Sequence, residues 1–109
     1  MAYDEALAAR IRDHLSGESG IAEKRMFGGI AFLLNGNMCC GVHGNEVIVR
    51  VDPESAATAL REPHVRVFDL TGRPMKGWLL VGSPGVASNE QMRRWVGKGV
   101  EFAGSLPAK

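Results

Sequence analysis

Leu7, Ile11 and Leu15 recur every four residues with Ala8 beside them, while Arg10, Arg12 and Asp13 take the other side. That spacing predicts an amphipathic helix over 4–15, with Asp4 and Glu5 placed to favour the N-terminal dipole and Gly17 as a stop. A strand is predicted over 30–34, followed by Asn35-Gly36-Asn37, a hairpin signal because Asn and Gly accept positive φ at little cost. The return strand spans 38–43 and closes at Gly44-Asn45. Residues 46–52 then alternate, with Val47, Val49 and Val51 on one face and Ile48 and Arg50 on the other. These three segments read as an antiparallel meander.

Asp52-Pro53-Glu54 is a helix start: Asp52 caps, Pro53 fits the first position and Glu54 favours the dipole. Pro63 ends this short helix near Arg61. Two further strands are predicted over 64–70 and 76–82, joined by the turn Thr71-Gly72-Arg73-Pro74. The last helix begins at Ser88, where Ser88 and Gln91 form a capping-box pattern. Met92, Trp95, Val96, Phe102, Ala103 and Leu106 share one stripe; Arg93, Arg94, Lys98 and Glu101 lie opposite. Gly97 and Gly99 each cost about 1 kcal/mol relative to Ala inside a helix, so a kink or close packing is expected there. The order is α-β-β-β-α-β-β-α, an α+β pattern without internal repeat, linker or low-complexity segment.

Several strands are apolar on both faces: Ile30, Phe32 and Leu34 against Ala31 and Leu33, and Trp78 and Leu80 against Leu79 and Val81. Helices grouped on one side would leave the other face as a partly apolar surface, from which homodimerisation through the sheet is expected.

The length of 109 residues matches one domain, 1–109, and suffices for a core without staples. A hydrophobic share of 45% with 23% charged residues excludes a disordered or collagen-like chain. With 13 Lys and Arg against 12 Asp and Glu, the formal charge is +1, and nucleic acid is an unfavoured partner by charge. The longest apolar run, 30–34, is far short of the roughly twenty residues of a bilayer span, and no signal peptide is readable, so no membrane association and a cytoplasmic location are expected. Cys39 and Cys40 are adjacent; on a regular strand they point to opposite faces, and a structural disulfide is not expected.

Lys24-Arg25-Met26-Phe27-Gly28-Gly29, a strand, an Asn-Gly turn, Met38 and then Val49-Arg50-Val51-Asp52 form a recognisable series. Together with Arg73-Pro74-Met75-Lys76-Gly77-Trp78 and the closing helix, this series resembles the TfoX N-terminal domain family, named for bacterial regulators of DNA-uptake competence. The resemblance runs from about residue 5 to residue 105, and its two motif segments are specific only when found together in this order. It implies a two-layer α/β domain over a five-stranded antiparallel sheet, and it brings no catalytic residues. The competence regulators carry a further C-terminal helical domain, which the sequence through Lys109 does not include; the expectation is a stand-alone N-terminal domain.

Arg25, Met26, Phe27, Gly28 and Gly29 are candidates for a partner-binding lip, with Arg73, Pro74 and Trp78 as the second motif segment. The plainer account has Met26 and Phe27 packing against a helix while the glycines permit a tight turn. Lys24 and Arg25 are expected as a solvated basic pair, with an anion held on nearby backbone N–H groups as the alternative. Cys39, Cys40 and His43 supply three ligands at spacings unlike those of zinc sites, with His14 and His64 remote, so no metal is expected. A nucleophilic Cys39 or Cys40 would need His43 to lower its pKa, an orienting group and an oxyanion pocket, and the sequence shows neither of the last two. No P-loop, G-x-S-x-G elbow or G-x-G-x-x-G is present. Arg93, Arg94 and Lys98 share their helix face with Glu90 and Glu101, the pattern of a solvated amphipathic helix. Trp78 and Trp95 are expected as core anchors.

The expectation for function is a non-enzymatic regulatory or protein-interaction domain, dimeric, without cofactor and with an unnamed protein partner. The alternatives are a DNA-associated transcriptional regulator, disfavoured by charge, and a small-molecule binder or enzyme with a pocket near the Met26–Gly29 turn and Trp78.

Overall fold

Side-chain caps set where the three helices begin; those at Asp52 and Ser88 are the ones the sequence pattern predicts, whereas Asp4, expected inside the first helix, caps it. The computed structural model describes residues 3–26, 28–69 and 76–108. The Asp4 carboxylate accepts from the backbone N–H groups of Ala6 (2.9 Å) and Leu7 (3.3 Å) and starts α1 (Glu5–His14). Asp52 accepts from the Glu54 N–H at 2.9 Å ahead of α2 (Pro53–Ala59). Ser88 and Gln91 bond reciprocally, at 2.9 and 3.1 Å, as a capping box for α3 (Asn89–Gly104).

The strands are β1 (Ile21–Met26), β2 (Gly29–Leu34), β3 (Asn37–His43), β4 (Glu46–Arg50), β5 (Val65–Val67) and β6 (Trp78–Val81). They form one sheet in the order β1-β2-β3-β4-β6-β5, with every neighbouring pair antiparallel. The sheet has six strands rather than the expected five, because 21–26 is a strand as well. Ala22, Glu23, Lys24 and Arg25 are all exposed on it, so it shows no in–out alternation; its charges suit a sheet edge, where they discourage pairing with another chain. Asn35 and Gly36 both take positive φ (51° and 87°) in the β2–β3 turn, the hairpin geometry that Asn-Gly specifies.

The helices cover one face of the sheet. There Ile30, Phe32, Leu34, Val42, Val47 and Val49 meet Leu7, Ile11, Trp95 and Val96 in the principal core. Trp95 is the core anchor the sequence predicts. The other face is not the open apolar surface expected from the strand pattern. Ala31, Met38, Ile48 and Leu80 are buried there beneath Phe68, which follows β5, with Met26, Leu33 and Trp78 packed against the cluster.

A break in register shapes the centre of the sheet. Phe32 pairs with Cys40 but Leu33 pairs with Met38, so Cys39 is an extra residue on β3, a β-bulge. The bulge overturns the expectation that Cys39 and Cys40 face opposite sides: both lie in the helix-side core. Close packing at Gly99 also follows from it. A β-carbon at Gly99 would collide with the Cys39 carbonyl oxygen, so only glycine lets α3 rest on the bulge. Gly97 has open space around it. Asn37, 2% exposed, donates through Nδ2 to the Pro107 carbonyl at 2.9 Å and holds the segment after α3 against the start of β3.

Candidate functional site: a groove between two helices

The second helix is short and made of small residues, and its neighbour across the gap is the C-terminal half of α3. Between them lies a groove of about 640 Å³, within the range of ordinary ligand and peptide pockets. Val51, Ala59 and Phe102 give it apolar surface, and Ser55, Thr58 and Ser105 contribute hydroxyls. Asp52, Glu54, Glu62 and Glu101 supply carboxylates against a single cation, Lys98. Asp52 is committed to the α2 cap, and Glu62 is committed to Arg94. The Arg94 guanidinium donates to both Glu62 oxygens, at 3.0 and 2.6 Å, and so ties the segment after α2 to α3. That hydrogen bond holds the Glu62 carboxyl below the usual carboxylate range and raises the Arg94 pKa.

Phe102 has a second role. The Arg50 guanidinium stands over its ring at 5.2 Å and over the Trp78 ring at 5.0 Å. A delocalised cation between two aromatic faces is a favourable arrangement. It joins the end of β4, the start of β6 and the wall of the groove.

The sequence-predicted candidates are dispersed. Arg25 is exposed on β1, in register with Ile30. Met26 is half-buried and packs on the sheet face away from the helices rather than against a helix. Gly28 takes positive φ (73°) in the β1–β2 turn, and Gly29 opens β2 against the Val42 carbonyl. Trp78 is half-buried, stacked on Arg50, with its ring centroid 6.2 Å from that of Phe68. Phe27, Arg73 and Pro74 lie outside the described residues. The register places Met26 and Trp78 at opposite ends of the sheet, with β2, β3 and β4 between them. Strand spacing alone separates them by about 19 Å, so the Met26–Gly29 turn and Trp78 do not share a pocket.

Of the described candidates, Trp78 approaches the groove, through Arg50 and Phe102. The groove residues themselves come from segments some forty positions apart, and no local motif marks them. The one hint in the sequence is the run of small side chains Ser55, Ala56, Ala57, Thr58 and Ala59, too short to fill the space against a neighbouring helix.

Chemically, the groove offers hydrogen-bond acceptors, hydroxyls, one ammonium and an apolar wall. Its described lining residues include neither His nor Cys. Among the described residues, no group of three or more His, Cys, Asp or Glu side chains is gathered as a metal site, and no helix is long and apolar enough to cross a membrane.

One antiparallel sheet with its helices on a single face, and an open groove between two of them, defines a small α+β domain. The TfoX N-terminal domain model matches residues 13–103, and the chain belongs to that family. Comparison with curated proteins and with solved structures returns no match.

Proposed function

We propose that this domain is a non-enzymatic regulatory module that works by binding another protein, in the manner of a competence-regulator N-terminal domain. The observation that carries the proposal is the α2–α3 groove: an open, mixed polar and apolar surface whose described lining holds no activated nucleophile or general-base histidine. Membership of a family named for the N-terminal part of competence regulators supports the same role. The sheet face that suggested a homodimer is filled by Phe68 and its neighbours, so the proposal requires no dimer.

The test is affinity capture from the source cell with quantitative mass spectrometry, comparing wild type with Thr58→Arg and Lys24→Ser. Thr58 is an exposed groove residue and Lys24 lies exposed on the far edge strand. The expected result is a specific partner retained by wild type and Lys24→Ser and lost by Thr58→Arg. Identical partner sets for all three proteins, or specific turnover of a small molecule by the pure chain, would overturn the proposal.

A further inference from the structure

The two cysteines are the only ones in the chain, and the bulge sets them side by side. Their sulfurs are 3.7 Å apart, in contact, and both side chains are wholly buried. Cys39 Sγ also donates to the Phe32 carbonyl at 3.3 Å. A regular strand would have turned the two thiols to opposite faces. Here one inserted residue makes them a dithiol pair beneath α3.

We propose that Cys39 and Cys40 are a peroxide-oxidisable dithiol that closes to a vicinal disulfide and shifts the seat of α3. The chemistry balances with hydrogen peroxide as oxidant, which reaches the buried pair through local opening of α3 from the bulge. The Cys39 thiolate attacks one peroxide oxygen, the O–O bond breaks, and the departing hydroxide leaves as water with the Cys39 proton. Cys39 is then a sulfenic acid. The Cys40 sulfur attacks it, the S–O bond breaks, and a second water leaves with the Cys40 proton. Two thiols have lost two protons and two electrons to one peroxide.

The two thiols sit in unlike surroundings. A hydrogen bond from the Cys40 thiol favours the thiolate of Cys39 and lowers its pKa. The same bond, with complete burial, raises that of Cys40. Attack that begins at Cys40 gives the same disulfide, so the closure itself rests on the contact between the two sulfurs.

Closure has a mechanical consequence. The sulfurs must approach from 3.7 Å to about 2.05 Å. Adjacent Cα atoms are held about 3.8 Å apart by the peptide, inside the lower limit of about 4.4 Å for relaxed disulfides. The bond is thus strained, and strained disulfides are readily reduced. Strain at this point falls on the Cys39 peptide, where α3 rests through Gly99.

The experiment treats the folded full chain with hydrogen peroxide, blocks residual thiols with N-ethylmaleimide under denaturation, and reads the intact mass. The expected product is a monomer lighter by two hydrogens, with the thiol titre falling from two to zero and restored by dithiothreitol. Cys40→Ser is expected to stop at a dimedone-reactive sulfenic acid on Cys39, and Cys40→Ala serves equally should the serine variant not fold. Amide exchange in 96–103 is expected to rise at least several-fold on oxidation of wild type. Two thiols still titrating after peroxide, or their loss only through intermolecular dimers, would overturn the assignment. A disulfide formed without faster exchange in 96–103 would overturn its coupling to α3.

Discussion

At Gly97 and Gly99 the same residue type, two positions apart in one helix, has opposite reasons to be there. Gly99 is the point where α3 touches the Cys39 bulge, whereas a β-carbon at Gly97 meets nothing within 4 Å. Gly97→Ala removes the entropic cost of glycine without steric penalty, and a gain of up to about 1 kcal/mol is expected. Gly99→Ala gains the same propensity but drives a methyl group into a backbone carbonyl that cannot rotate away, and a net loss of about 1–3 kcal/mol is expected. Urea titration of both variants against wild type checks the pair, and equal signs would refute the account. The sequence makes both glycines conspicuous but cannot separate them. What separates them is the bulge, and the bulge exists only in the pairing of β3 with β2. The same holds for Cys39 and Cys40, whose side-by-side placement depends on a register that no local pattern encodes.

At the scale of elements, three ion pairs among the described residues join separate segments: Arg12 to Glu23, Arg66 to Glu46 and Arg94 to Glu62. The first ties α1 to the edge strand β1 and the last ties α3 to the end of α2. In both, the hydrogen bond from the arginine lowers the glutamate pKa. A lowered folded value means stability that is present above the ordinary glutamate range of about 4.3 and lost as pH falls through the folded value. The partners are substantially exposed, so each pair contributes under about 1 kcal/mol and less at high salt. Glu62→Gln is therefore expected to be slightly less stable than wild type at pH 7 and to converge on it as pH falls below the ordinary glutamate range; melting curves from neutral to acid pH check the convergence, and parallel curves would count against it. Elements with a strong period or cap were legible in the sequence: α1, α3, the Asn-Gly hairpin and the alternating β4. The edge strand β1 was not, because four consecutive exposed residues carry no alternation and only pairing with β2 makes 21–26 a strand. The groove was equally silent, since α2 and the end of α3 meet only after folding.

For the whole molecule, the decisive contrast is between the two faces of the sheet. One is covered by helices, and on the other, among the strand residues of a second, smaller core, lies Phe68, buried just after β5. It is fully buried over Ala31, Met38, Ile48 and Leu80, and its N–H donates to the Trp78 carbonyl at 2.9 Å. Strand patterning alone leads one to expect an exposed apolar face; among the described residues, Phe68, placed after a three-residue strand, is the aromatic side chain buried on that face. Truncating a buried phenylalanine to alanine costs about 3–5 kcal/mol, a large fraction of the stability of a domain this size. Phe68→Ala should also do what a simple cavity in the helix-side core would not. It uncovers an apolar patch of the kind that drives association, so the variant is expected to self-associate more strongly than wild type at equal concentration. Val96→Ala, in the core beneath α3, is the matched control: destabilised, but with unchanged mass in solution. Native mass spectrometry and light scattering on the three proteins make the comparison. If Phe68→Ala keeps the wild-type mass while losing stability, the second face is not an apolar surface held closed by Phe68, and its burial has another cause.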